Sequence, residues 1–183
     1  MRTLLLAAIA GAALSGCAGT SLNQFKGAEP KLDLYDYFAG ESVAYGIFED
    51  RFGKIRRQFK VDITGTVEDG TLVLDERFDY ADGETDRRVW RIERLGPDRY
   101  RGRAGDIVGT ATGKVEGNAL KWDYLMDLKV GDSTWRLGFD DWMLLQSDGV
   151  LINRATVSRW GFEIGRLFIT FRKLDEPGGA PAS

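Results

Sequence analysis

From just beyond Gly40 to Lys173, apolar and polar residues alternate with a period of two, the spacing of strands that bury one face and solvate the other. Turn dipeptides interrupt the alternation at Asp69-Gly70, Asp82-Gly83, Gly117-Asn118, Gly131-Asp132 and Asp148-Gly149, and each reads as the tip of a hairpin. The pattern predicts strands near 43–50, 54–67, 71–80, 85–95, 99–104, 107–116, 119–130, 133–146, 149–157 and 162–173, with 99–116 also readable as one kinked strand. No segment carries a long helical period; Leu32–Phe38 reads either as a short helical turn opened by Asp33 as its N-cap or as an extended entry segment, packed on the domain through Leu34, Tyr35 and Phe38 in both cases. Long consecutive antiparallel strands must hide their edges, so closure into an all-β, antiparallel up-and-down barrel of eight to ten strands is favoured over a sandwich.

Loop lengths fix which residues face inward, because a slip of one residue turns a core face out. Across a two-residue Gly117-Asn118 loop, Gly113 meets Trp122, Ala111 meets Tyr124 and Gly109 meets Met126, small residues against large. Across Gly131-Asp132, Trp135 meets Leu128, Leu137 meets Met126, Phe139 meets Tyr124 and Asp141 meets Trp122, which turns Asp141 inward. A two-residue Asp148-Gly149 loop then directs Val150, Ile152, Arg154 and Thr156 inward, with Arg154 diagonal to Asp141. A three-residue loop Ala81-Asp82-Gly83 sets Glu76 opposite Arg88. Two interior ion pairs are therefore expected, in a barrel lined or flanked by Trp90, Trp122, Trp135 and Trp142.

The ends of the chain read differently. Arg2 precedes a short apolar run from Leu4 to Ala13, too short to span a bilayer and built like a secretory signal. Leu14-Ser15-Gly16-Cys17 follows and resembles the lipobox of bacterial lipoproteins, which implies removal of residues 1–16 and lipidation of Cys17. Such a protein is anchored to a membrane and does not span it. Ala18, where aspartate would favour the inner membrane, points to the outer membrane facing the periplasm. Residues 17–33 are then the lipidated N-terminus and tether, 34–174 the barrel domain, and 175–183, with Pro177, Gly178, Gly179 and Pro181, a disordered tail.

Composition narrows the chemistry. The whole chain has a formal net charge of -3, and loss of Arg2 with the leader makes it -4, which argues against nucleic acid or anionic lipid headgroups as the main partner. There is no histidine, and the one cysteine is Cys17. These absences remove disulfides, cysteine catalysis, His-based triads and the commonest zinc ligands. Asp140-Asp141 is a poor calcium chelate, since adjacent strand residues face opposite sides. No metal, cofactor or catalytic residue is assigned.

Several short motifs together resemble one bacterial family. They are Asp50-Arg51-Phe52-Gly53, Leu74-Asp75-Glu76-Arg77-Phe78, Asp82-Gly83, Arg88-Val89-Trp90, Asp106-Ile107-Val108-Gly109, Gly117-Asn118-Ala119, Asp140-Asp141-Trp142-Met143 and Asn153-Arg154. The likeness is to the bacterial lipoprotein family catalogued as domain of unknown function 3833 and runs over roughly Leu34 to Lys173; Arg159-Trp160-Gly161 departs from the expected Lys-Phe-Gly. The resemblance implies a lipocalin-like, calycin-like barrel and carries no catalytic residues over. Its members are often encoded beside enzymes that modify membrane fatty acids, which implies a lipid connection.

The leading expectation is a non-enzymatic, membrane-anchored envelope lipoprotein that binds or shuttles a fatty acid or similar hydrophobic ligand in a barrel cavity. Arg154, Asp141, Arg88, Glu76, Trp122, Tyr124 and Trp90 are the candidate ligand-binding residues, with Arg154 as the partner of an acidic headgroup. One rival is an enzyme acting on a lipid through Glu76 or Asp141. The other is an envelope scaffold with a filled barrel and a protein partner of unknown kind. An open cavity favours the first reading and a solid core the last.

Overall fold

The computed structural model describes residues 19–174; the expected leader, the expected lipidation site at Cys17 and residues 175–183 lie outside the described residues. Ten strands follow one another in chain order: β1 (Gly40–Asp50), β2 (Ile55–Glu68), β3 (Thr71–Tyr80), β4 (Thr85–Arg94), β5 (Arg99–Arg103), β6 (Ala111–Glu116), β7 (Ala119–Val130), β8 (Ser133–Leu145), β9 (Leu151–Arg159) and β10 (Phe162–Lys173). Each pairs antiparallel with its sequence neighbours, and β10 returns to pair with β1 from Ser42↔Lys173 to Asp50↔Gly165. The all-β, up-and-down barrel expected from the alternation is thus closed, with ten strands and no free edge. Ten strands enclose a wider interior than the eight whose side chains just fill a barrel.

One end of the barrel is stoppered. Asp33 caps a short helix, α1 (Leu34–Phe38), its carboxylate accepting from the backbone N–H of Tyr35 at 2.9 Å and Asp36 at 3.4 Å. The helical spacing puts Leu34, Tyr37 and Phe38 on one buried face, which packs into the barrel end. The Tyr35 hydroxyl lies 2.8 Å from the carbonyl oxygens of Gly70 and Ile92 and donates to one at a time. Tyr37 ties the other side, its hydroxyl 3.1 Å from the carbonyls of Gly149 and Phe171. The Phe38 carbonyl comes so close to Gly65 that any Cβ there would collide with it, so β2 needs glycine at this crossing.

Upstream of α1, a 3₁₀ turn at Leu22–Phe25 lies against β6 and β7. The Phe25 ring stands 6.1 Å from that of Trp142, and the Leu32 N–H donates to the Gly117 carbonyl. Part of the stretch expected to be a tether therefore rests on the outer wall. Trp142, expected to flank the interior, belongs to that outer contact.

The opposite end carries the turns between β1 and β2, β3 and β4, β7 and β8, and β9 and β10, together with the long β5–β6 connection. Among the described residues nothing stoppers it.

Candidate functional site

Register decides the interior. From β7 to β8 the pairs are Leu128↔Trp135, Met126↔Leu137, Tyr124↔Phe139 and Trp122↔Asp141, all as the loop length predicts. Gly113↔Trp122 also holds, and the Trp122 ring fills the space above Gly102 and Gly113: a Cβ on Gly102 would meet the indole at 2.6 Å, and one on Gly113 closer still. Glu76↔Arg88 is observed, with Tyr80 and Glu84 closing the three-residue loop around left-handed Gly83.

Two expectations fail. Ile107, rather than Gly109, bridges Met126, because the β5–β6 connection bulges at Gly109-Thr110, two extra residues between the 106–108 segment that hydrogen-bonds to β7 and the start of β6 at Ala111. The larger correction concerns β9. Its pairing runs Leu145↔Leu151, Met143↔Asn153 and Asp141↔Ala155, with the Gln146 N–H donating to the Val150 carbonyl. The turn is therefore the three residues Ser147, Asp148 and Gly149. That one-residue difference reverses the strand. Leu151, Asn153, Ala155 and Val157 point inward and are buried, whereas Arg154 is exposed and Ile152 is 42% exposed. Arg154, opposite Trp142 on the outer face, makes no interior pair with Asp141 and cannot receive a headgroup inside the barrel.

Beneath the open end is a cavity of about 980 Å³ that reaches down to Leu34 and Phe38 of α1. Its walls are mostly aromatic and aliphatic, including Phe48, Phe59, Phe78, Trp90, Trp122 and Leu167. Trp90 packs edge-on to Trp122 at 6.2 Å and Tyr124 at 5.6 Å, and Tyr124 stacks on Phe139 at 4.9 Å. The filled-barrel alternative does not describe this interior.

Of the seven ligand-binding candidates, Glu76, Arg88, Trp90, Trp122, Tyr124 and Asp141 all line this cavity. The structure adds Asp106 to them. Its carboxylate accepts from Arg88 Nε at 2.9 Å, while Glu76 is 3.8 Å from Arg88 Nη1. Arg88 also lies over the Phe78 ring and contacts the Met126 sulfur. Asp106 arrives through the β5–β6 connection, and its only mark in the sequence is its place in the Asp106-Ile107-Val108-Gly109 motif.

Electrostatics in this cluster are governed by removal from water. Burial pushes the Glu76 carboxyl up to about 7, with Arg88 pulling the other way. Burial likewise raises Asp141 to about 7, with the neighbouring Tyr124 hydroxyl opposing it, and the same desolvation drives that hydroxyl well up. Asp141 is 4% exposed, and its Oδ1 has no hydrogen-bond partner; Asp106 Oδ1 is also unpartnered. One guanidinium is thus shared by Glu76 and Asp106, and acceptor capacity is left over on Asp106 and Asp141. The arrangement can hold an apolar chain against its walls and receive a hydrogen-bond-donating group at mid-height.

Comparison with known proteins places these features in a family. No curated protein matches the chain. The family model described as "Protein of unknown function (DUF3833)" matches residues 11–173, the whole barrel and its approach, and on that extent the chain belongs to the DUF3833 family.

Proposed function

We propose that this protein is a non-enzymatic envelope lipoprotein, anchored through lipidated Cys17 in the outer membrane and facing the periplasm, whose barrel binds or shuttles a fatty acid or similar long-chain hydrophobic molecule. The observation that carries this reading is the cavity: about 980 Å³, at the upper end of the roughly 300–1,000 Å³ usual for small-molecule sites, apolar-walled and stoppered at one end. With Arg154 outside, recognition of the polar end falls to the Glu76, Arg88, Asp106, Tyr124 and Asp141 cluster. Arg88 is already bracketed by two carboxyls, so a ligand carboxylate would have to displace one of them. A hydroxyl donating to Asp141 Oδ1 needs no displacement. Neutral long-chain alcohols or acylglycerols therefore fit better than ionised fatty acids.

Tryptophan-fluorescence titration of the delipidated soluble domain checks this. Saturable binding of a long-chain alcohol, with weaker binding of the acid of equal length, supports the reading. No binding of either overturns it.

A second reading is favoured by one observation: two carboxyls, Glu76 and Asp141, each pushed to about 7 in a ligand-sized cavity, are suited to proton transfer. Chemical change of a lipid incubated with the protein, lost in both Glu76→Gln and Asp141→Asn, would make it an enzyme.

A further inference from the structure

Hydrophobic side chains that serve the barrel point into it or pack on its wall, yet the open end carries large ones that do neither. Among the described residues the three most exposed large hydrophobic side chains are Trp160 at 82%, Phe52 at 81% and Phe162 at 72%. All three lie on two neighbouring hairpins, β1–β2 and β9–β10, which adjoin because β1 pairs with β10. The Arg51 N–H donates to the Ile164 carbonyl at 2.9 Å, tying the two tips into one lip. Ile55, 48% exposed, continues the apolar surface.

The backbone also holds one of these rings outward at a cost. Trp160 has φ 53° and is followed by left-handed Gly161, a turn that Asn-Gly or Gly-Gly would form with less strain. A tryptophan there gains nothing from the protein interior to offset it.

Charge is gathered at the same place. Residues 49–57 and 158–166 hold six basic and three acidic side chains, in a chain whose net charge is -3. Arg56, Arg57 and Arg166 have acidic partners, whereas Arg51, Lys54 and Arg159 have no ion pair among the described residues. Two of these free cations sit on rings. The Arg51 guanidinium is 5.0 Å from the Phe52 centroid, and that of Arg159 is 3.8 Å from Trp135 and 4.1 Å from Trp160.

Aromatic rings projecting past cations match the layering of a bilayer surface, where rings settle among headgroups and guanidinium groups meet phosphates. The surface is a pair of convex tips. It inserts between headgroups more readily than it forms the broad complementary area of a stable protein interface.

We propose that this lip docks the barrel, mouth first, onto the surface of an anionic phospholipid bilayer. This is a contact separate from the Cys17 anchor and independent of what the cavity holds. It brings the open end to the lipid phase.

Strand pairing closes the barrel within residues 40–173, so a chain lacking residues 1–17 keeps the lip and removes the lipid anchor from the measurement. Flotation of that chain with phosphatidylcholine vesicles containing phosphatidylglycerol should recover it with the vesicles. The triple variant Phe52→Ser, Trp160→Ser and Phe162→Ser should lower partitioning at least about tenfold, and Arg51→Gln, Lys54→Gln and Arg159→Gln should abolish the preference for anionic over neutral vesicles. Val67→Ser, at an exposed site near the stoppered end, should float like the parent. Unchanged circular dichroism and unchanged alcohol titration in the triple variant separate lip from cavity. Parent protein that stays with the soluble fraction, a triple variant that floats as the parent does, or a lip that instead mediates self-association in sedimentation without flotation would each overturn the proposal.

Discussion

Asp106 lies 2.9 Å from Arg88 Nε, closer than Glu76, the register partner of Arg88, at 3.8 Å. Arg88 is therefore held chiefly by a carboxylate from the β5–β6 connection and secondarily by its neighbour on β3. The two acids should respond differently to mutation. Arg88→Met leaves Glu76 and Asp106 without a cation and should destabilise the fold by about 3–5 kcal/mol at pH 8. Glu76→Gln should be close to neutral there, since Arg88 keeps Asp106. Urea unfolding of both variants at pH 8 checks the order; equal losses would mean that Glu76, not Asp106, is the principal partner.

Stability should fall as pH rises toward neutrality. Glu76 and Asp141 have folded pKa values of about 7, above their ordinary values, so the folded state binds more protons than the unfolded state between about pH 4 and 7. Their contribution is fully present below the unfolded pKa and is lost as pH passes through the folded one. For each group the change is at most on the order of 3–4 kcal/mol. Chemical unfolding at pH 5 and pH 8 should show the loss in the parent and a much smaller one in the Glu76→Gln, Asp141→Asn double variant.

Trp122 occupies the space over Gly113 and Gly102, so Gly113→Ala should force the indole from its place. Overpacking of this kind costs about 1–3 kcal/mol. A lower thermal midpoint together with an altered near-ultraviolet tryptophan signal is expected.

Arg154 is on the outer wall, and Arg154→Met should change stability by no more than about 0.5 kcal/mol and leave ligand titration as it was. Strong weakening of acid binding in this variant would return the residue to the interior.

That correction shows where the sequence is legible. Period-two alternation revealed the strands because one face of each is buried, and short tight turns carried the register correctly from β7 to β8 and from β3 to β4. Asp148-Gly149 resembles a two-residue turn, but Ser147 joins it, and the odd count inverts β9. A second signal was present: Leu151, Ala155 and Val157 form a more apolar face than Ile152, Arg154 and Thr156, and burial follows that face. Asp106 was less accessible, since it reaches Arg88 only through the irregular β5–β6 connection, where periodicity has no meaning. Burial of Asp141, by contrast, followed directly from its pairing with Trp122.

A hydrophobic ligand held in the cavity should accompany the domain purified from its native cells, where native mass spectrometry detects it. Leu167 lines the cavity, and Leu167→Trp fills part of that space while preserving an apolar wall. The predicted result is a parent protein carrying one long-chain lipid and a folded Leu167→Trp variant carrying little or none. A parent protein free of lipid that also binds none on titration, or equal loading of the parent and the filled variant, would mean that the cavity is not a lipid site.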